Sequence, residues 1–159
     1  MIRLIYTSVQ KPDFTRQDFA KLCAECSSNN SSMGLTGLLL CNGVEFLQCL
    51  EGPRESVSKV YKRILLDARH TDIRLLLSQK TQDRLFDNWA MMGLTTQAPP
   101  EAAKKSLVYK LLGQRLYRPW KSLGNTAVDL VYEYANVKAE LEKAGEGRLL
   151  TTVFDVYFP

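Results

Sequence analysis

Asn42 and Gly43 separate two apolar runs, residues 35–41 and 44–50. An Asn-Gly pair between apolar stretches is the strongest short-range signal of a β-hairpin, because both residues tolerate positive φ in a tight turn. Two antiparallel strands therefore occupy the middle of the first 96 residues. Every other element has to be arranged around them.

Residues 2–8, IRLIYTS, read as a strand with Ile2, Leu4 and Tyr6 on one face and Arg3, Ile5 and Thr7 on the other. After the Lys11-Pro12-Asp13 turn, Thr15 and Asp18 form a short capping box. Phe19, Leu22, Cys23 and Cys26 follow as one buried helical stripe, and the polar run 27–32 is expected to end that helix. Beyond the hairpin, Glu51-Gly52-Pro53 opens a second helix with a stripe of Val57, Val60, Tyr61, Ile64 and Leu65. Strands are expected over residues 73–78 and 88–94. The order β-α-β-β-α-β-β predicts an α+β, ferredoxin-like split βαβ fold with both helices on one face of the sheet.

The other face carries Ile5 and Leu47 and needs a cover. Gln97-Ala98-Pro99-Pro100 breaks the pattern. Past it, residues 106–117 read as helical, and Asn125 starts a longer helix reaching about Ala144. That helix is apolar on two sides, at Val128, Val131, Tyr132 and Ala135 and at Leu130, Tyr134, Val137 and Leu141, which suits a sandwiched helix. Two units are thus expected: a fold over residues 1–96, and a C-terminal helical extension over 97–159 that packs on the sheet. The apolar stretch at 149–158 is expected to pack against the rest.

The reactive inventory is narrow. With one histidine, His70, no pair of His ligands exists and no HExxH zinc helix can form, and no nucleophile motif surrounds His70. Cys23 and Cys26 make a CxxC, but Cys41 and Cys49 lie too far apart for a zinc ribbon or an iron–sulfur site. They read as reduced thiols packed as small apolar groups. No apolar run reaches the length of a membrane span, and an early charge rules out a signal-peptide core, so a cytoplasmic protein is expected. The net charge of +4 is mild, although six basic residues and no acid fall between residues 104 and 121. This cluster reads as a solvated helix face or as a docking surface for an acidic partner or nucleic acid. Any chemistry is expected to come from a bound group rather than from a side-chain nucleophile.

Gln48 departs from a plain core. It alternates with Val44, Phe46 and Leu50, which puts a carboxamide on the apolar face of a central strand. Leaving it unpaired would cost about 1–3 kcal/mol, so both of its ends need partners. Tyr6 lies on the apolar face of the first strand in the same way. Asn29 and Asn30 sit at the end of the first helix, and Arg63 and Asp67 are spaced i, i+4 at the edge of the second. Each has an ordinary structural explanation. Together they suit a flat heterocycle with carbonyl and imide edges.

At these residues the chain resembles the BLUF family, blue-light sensors that use flavin. RLIYTS at 3–8, NNSSMGLTGLLL at 29–40, FLQCLEGP at 46–53, VYKRILLDARH at 60–70 and FDNWAMMGL at 86–94 carry the resemblance, in the family's order. It implies that Tyr6 is the photoactive tyrosine and Gln48 the glutamine beside the flavin ring. It further implies that Asn30 bonds the pyrimidine edge, that Asn29 neighbours it, and that Arg63 and Asp67 contact the flavin. Trp89 and Met91 match strand residues that compete for the place near Gln48 and relay the signal. FAD is the expected cofactor, with FMN or riboflavin as alternatives. In the family, light-driven electron and proton transfer from the tyrosine reverses quickly, and the lasting change is a rotated or tautomerised glutamine. A short photoreceptor without enzymatic activity is implied, acting through a downstream protein partner or through homo-oligomerisation.

Two other readings fit a split βαβ chain: an RNA- or small-ligand-binding regulatory module, and an acylphosphatase-like enzyme. The central strands read GLLL and EFLQCL and lack the basic-Gly-aromatic pattern of an RNA-binding sheet, so nucleic acid is not expected. No Gly-rich phosphate cradle follows the first strand.

Overall fold

The chain runs β1 (Ile2–Gln10), α1 (Arg16–Ser32), β2 (Thr36–Cys41), β3 (Glu45–Gly52), α2 (Arg54–Ile64), β4 (His70–Lys80), β5 (Met92–Thr95), α3 (Asn125–Lys143) and β6 (Asp155–Tyr157). This is a computed structural model, and it describes residues 1–87, 92–95, 120, 125–145 and 155–157. The sheet order is β4-β1-β3-β2-β5-β6. β3 pairs antiparallel with both β1 and β2, and β5 adds parallel to β2. Placing β3 between β1 and β2 produces the expected α+β, ferredoxin-like split βαβ.

Alternation along the strands divides the core in two. Leu4, Tyr6, Leu39, Phe46 and Leu50 face α1 and α2, where Phe19, Cys23 and Val57 meet them. Ile5, Leu38, Leu40, Leu47 and Cys49 face the opposite way and are covered by Leu130, Val131 and Tyr134 of α3, with Trp120 beside them. The predicted cover over the second face is therefore present. The C-terminal apolar stretch contributes β6, which pairs antiparallel with β5.

Local physics altered several boundaries. The hairpin lies where Asn42-Gly43 puts it, but only Gly43 takes positive φ, at 86°. Asn42 Oδ1 accepts from the N–H groups of Val44 and Glu45 at 3.0 and 2.7 Å, so the turn is wider than two residues and Val44 is exposed rather than on the apolar face. The run 27–32 does not stop α1. The helix continues through it to Ser32, and Gly34, at φ 64°, ends the turn. Leu65 falls outside the buried stripe of α2 and is half exposed. α2 ends at Ile64, so Asp67 lies past the helix rather than on it. The helix expected at 106–117, the first part of the strand expected at 88–94 and all six basic residues of the cluster at 104–121 lie outside the described residues.

Candidate functional site

Cross-strand register lines up Tyr6 on β1, Gln48 on β3 and Leu39 on β2 in one row across the sheet. Phe46, two residues before Gln48, shares their face. This row floors a cavity whose walls are Leu22, Cys26, Asn29 and Asn30 of α1 and Val60, Arg63 and Ile64 of α2. Asp67, Arg69 and His70 close its end. Its free volume of about 150 Å³ is roughly ten times what one water needs, so it is not a packing defect.

The Tyr6 hydroxyl donates to Gln48 Oε1, and both side chains are buried. Burial holds the Tyr6 phenol well above its ordinary pKa, with nearby acidic groups adding to the shift. Tyr6 is thus a neutral donor at any physiological pH. Its ring lies 5.7 Å from Tyr61 and 6.4 Å from His70, centroid to centroid, so it sits among aromatic neighbours out of contact with water.

The structure brings together the six site residues expected among the described ones: Tyr6, Gln48, Asn29, Asn30, Arg63 and Asp67 all line the cavity. Asn30 is buried and Asn29 exposed, consistent with their positions at the end of α1. Trp89 and Met91 lie outside the described residues. Arg63 and Asp67, although spaced i, i+4, form no ion pair with each other. Asp67 instead accepts from the backbone N–H of Arg69 at 2.9 Å and from its guanidinium at 2.7 Å. Burial works to raise the Asp67 carboxyl, and these bonds from Arg69 outweigh it, leaving it below its ordinary value. The same guanidinium reaches Glu25 on α1 at 2.8 Å and so ties the two sides of the cavity mouth together.

Sequence reasoning did not place Arg69, His70 and Cys26 in the site. The Asp-x-Arg-His string was a usable signal, because an Asp that bonds the N–H two residues on makes a turn and presents the next side chains to one site. His70 Nε2 lies 3.0 Å from the Ile64 carbonyl, which only accepts, so that nitrogen carries the proton. Nδ1 then accepts from Ser8 Oγ at 2.7 Å. Burial lowers the His70 pKa, which agrees with this neutral form. Burial raises the Cys26 thiol to about 11, so it is protonated in the cavity wall.

The donor set suits a flavin ring. Carboxamides offer both a donor and an acceptor to the alternating carbonyl and imide groups of a pyrimidine edge. Leu39, Phe46 and Val60 supply apolar surface for its flat faces. Among the described residues no group of His, Cys, Asp and Glu could hold a metal, and no helix is long and apolar enough to cross a membrane.

Comparison with known proteins agrees with this geometry. Photoactivated adenylate cyclase subunit beta of Euglena gracilis is 32% identical over 96 residues, covering 59% of this chain and 11% of that protein. The blue light- and temperature-regulated antirepressor BluF of Escherichia coli (strain K12) is 35% identical over 88 residues, covering 55% of this chain and 22% of that protein. The chain therefore spans less than a quarter of the length of either. The dark-state structure of BlrB, a BLUF protein, superposes with a TM-score of 0.69 over 87% of this chain and 95% of that one; at 24% identity it speaks for the fold. The family model described as sensors of blue-light using FAD matches residues 1–92, and with the flavin-compatible cavity in that same stretch, the chain belongs to the BLUF family.

Proposed function

We propose that Tyr6 and Gln48 are the light-responsive pair of this chain, and that Asn29, Asn30, Arg63 and Asp67 hold the flavin. The observation that carries the reading is the Tyr6 hydroxyl donating to Gln48 Oε1 on the floor of the cavity. Bound flavin supplies absorption of blue light and, once excited, a strong oxidant. Tyr6, buried and neutral, is the adjacent donor of an electron and a proton. Gln48 is the group that keeps a record of the event. In the dark its oxygen is committed to Tyr6, which leaves its NH2 for other acceptors. Exchanging its two nearly isosteric ends reverses every hydrogen bond it makes at little steric cost. Asn30, buried in the wall of the same cavity, and Arg63 on α2 orient the ring.

Output passes from the sensor, residues 1–96, to the extension over 97–159, with Trp89 and Met91 as relay. It then passes to a protein partner or to a second copy of the chain, without an enzymatic step in these residues. The cavity supports this reading best because it combines amides, a tyrosine and apolar walls, and the Cys26 thiol in its wall is held protonated.

An absorption spectrum before and after blue light tests it. The purified chain is expected to be yellow and to show a small reversible red shift. Tyr6→Phe should bind flavin and lose the shift, and Gln48→Leu should lose it as well. A colourless chain that takes up no flavin, or a normal photocycle in Tyr6→Phe, refutes the assignment.

A further inference from the structure

The ladder that pairs Tyr6 with Gln48 also pairs Arg3 with Glu51, on the same two strands. A spacing of three residues on each strand puts the two pairs on opposite faces of the sheet. Gln48 looks into the flavin cavity. Arg3 and Glu51 look toward α3, and both are buried.

Arg3 spreads its guanidinium over three elements. Nε donates to Glu51 at 2.6 Å, one terminal nitrogen to the Tyr132 hydroxyl on α3 at 2.8 Å, and the other to the Asp83 carbonyl at 2.9 Å. The guanidinium carbon also lies 5.1 Å from the centre of the Tyr132 ring. Gln79 of β4 donates to the same hydroxyl at 2.9 Å. The Glu51 carboxylate accepts in addition from the backbone N–H groups of Leu85 and Phe86, at 2.9 and 3.1 Å. One ion pair thus holds β1 and β3 to the C-terminal helix and to the segment that leads into β5.

Covering a sheet face does not require such a pair. Apolar side chains of similar volume do so with equal or better stability, because two charges must be stripped of water to be buried. What the pair adds is geometry: a planar fork that matches three acceptors at once, and a carboxylate that holds two backbone donors. Short hydrogen bonds of this kind are sensitive to small displacements of the strands that carry them.

We infer that the Arg3–Glu51 pair with the Tyr132 hydroxyl is the contact through which the sheet passes the state of its Tyr6–Gln48 face to α3. The inference rests on the light-responsive role proposed above for Tyr6 and Gln48. Rearrangement at Gln48 acts on β3, and Glu51, three residues along that strand, moves with it. Arg3 then shifts its hold on Tyr132 while Glu51 shifts its hold on residues 85–86. Arg3, Glu51 and Tyr132 are positioning residues, since none of them lines the flavin cavity.

The test uses the full chain with its flavin and takes two readings, the blue-light red shift and amide hydrogen exchange across residues 125–143 in dark and light. The unsubstituted chain is expected to show both the red shift and a light–dark difference in exchange. Tyr132→Phe keeps the ring and removes only the hydroxyl. It should keep the red shift and reduce the light–dark difference at least about five-fold, the lower end of a typical coupling between sites. Arg3→Lys, which keeps the charge without the fork, should do the same. A merely structural role would change exchange equally in dark and light. An undiminished difference in Tyr132→Phe or Arg3→Lys overturns the inference, as does a red shift in the unsubstituted chain with no difference in α3. Absence of the red shift in the unsubstituted chain instead defeats the light-responsive role, and the inference falls with it.

Discussion

Single side chains in this protein have sharply different costs of removal. Glu51 is fully buried and satisfies Arg3 and two backbone donors, so Glu51→Leu leaves a buried guanidinium without its counter-ion. Breaking such a pair costs about 3–5 kcal/mol, whereas replacing both members by apolar groups is often neutral. Urea denaturation should therefore find Glu51→Leu strongly destabilised and Arg3→Met/Glu51→Leu much closer to the parent. His70 carries a pH dependence of a defined sign. Burial holds its folded pKa below the ordinary 6.5, so as pH falls through that value the unfolded chain binds a proton that the folded chain does not. Stability should be unaffected by this group above that value and decline below it, until the folded imidazole itself protonates. Denaturation midpoints from roughly pH 7 down to 5 check this, and the slope should flatten in His70→Gln.

At the scale of elements, periodicity and capping chemistry made most of the fold legible. Thr15 bonds the N–H of Asp18, and Asp18 bonds back to Thr15, as the capping box requires. The β1 alternation correctly separated Tyr6 from Ile5 and so located both cores. The misreadings came where side chains or a glycine compete with pattern. The Ser and Asn residues of 27–32 favour turns in isolation, yet Asn30 is buried in the last turn of α1 and its carbonyl accepts from the N–H groups of Met33 and Leu35. The stop belongs to Gly34, whose positive φ suits a residue without a side chain. A Cβ there meets nothing within 4 Å, so Gly34→Ala tests backbone strain alone. It should lower stability by about 1–2 kcal/mol, and Gly34→Asn by less, since Asn tolerates this region. Arg69 and His70 were not assigned to the site for a related reason. Helical spacing tied Asp67 to Arg63, and only the break of α2 at Ile64 turns Asp67 toward Arg69.

For the whole molecule, the central strands β1, β2 and β3 are covered on both faces. One side holds α1, α2 and the flavin cavity, and the other is covered by α3 and Trp120. That arrangement bears on the two-unit division proposed above, a sensor over residues 1–96 and an extension over 97–159. If the extension serves as cover as well as output, the sensor is not self-sufficient. Ile5, Leu38, Leu40 and Leu47, all fully buried in the intact chain, become one contiguous apolar surface once α3 is removed. Contiguous exposed apolar patches are rare on soluble monomers and drive association. A chain cut after residue 96 is therefore expected to self-associate as concentration rises while still binding flavin, because the described residues that line its cavity all lie between 6 and 70. Light scattering and the flavin spectrum, measured together over a dilution series, separate the two properties. A truncated chain that stays monodisperse with flavin bound would show that α3 is dispensable as cover. The Tyr132 contact would then be the main reason for α3 to lie where it does.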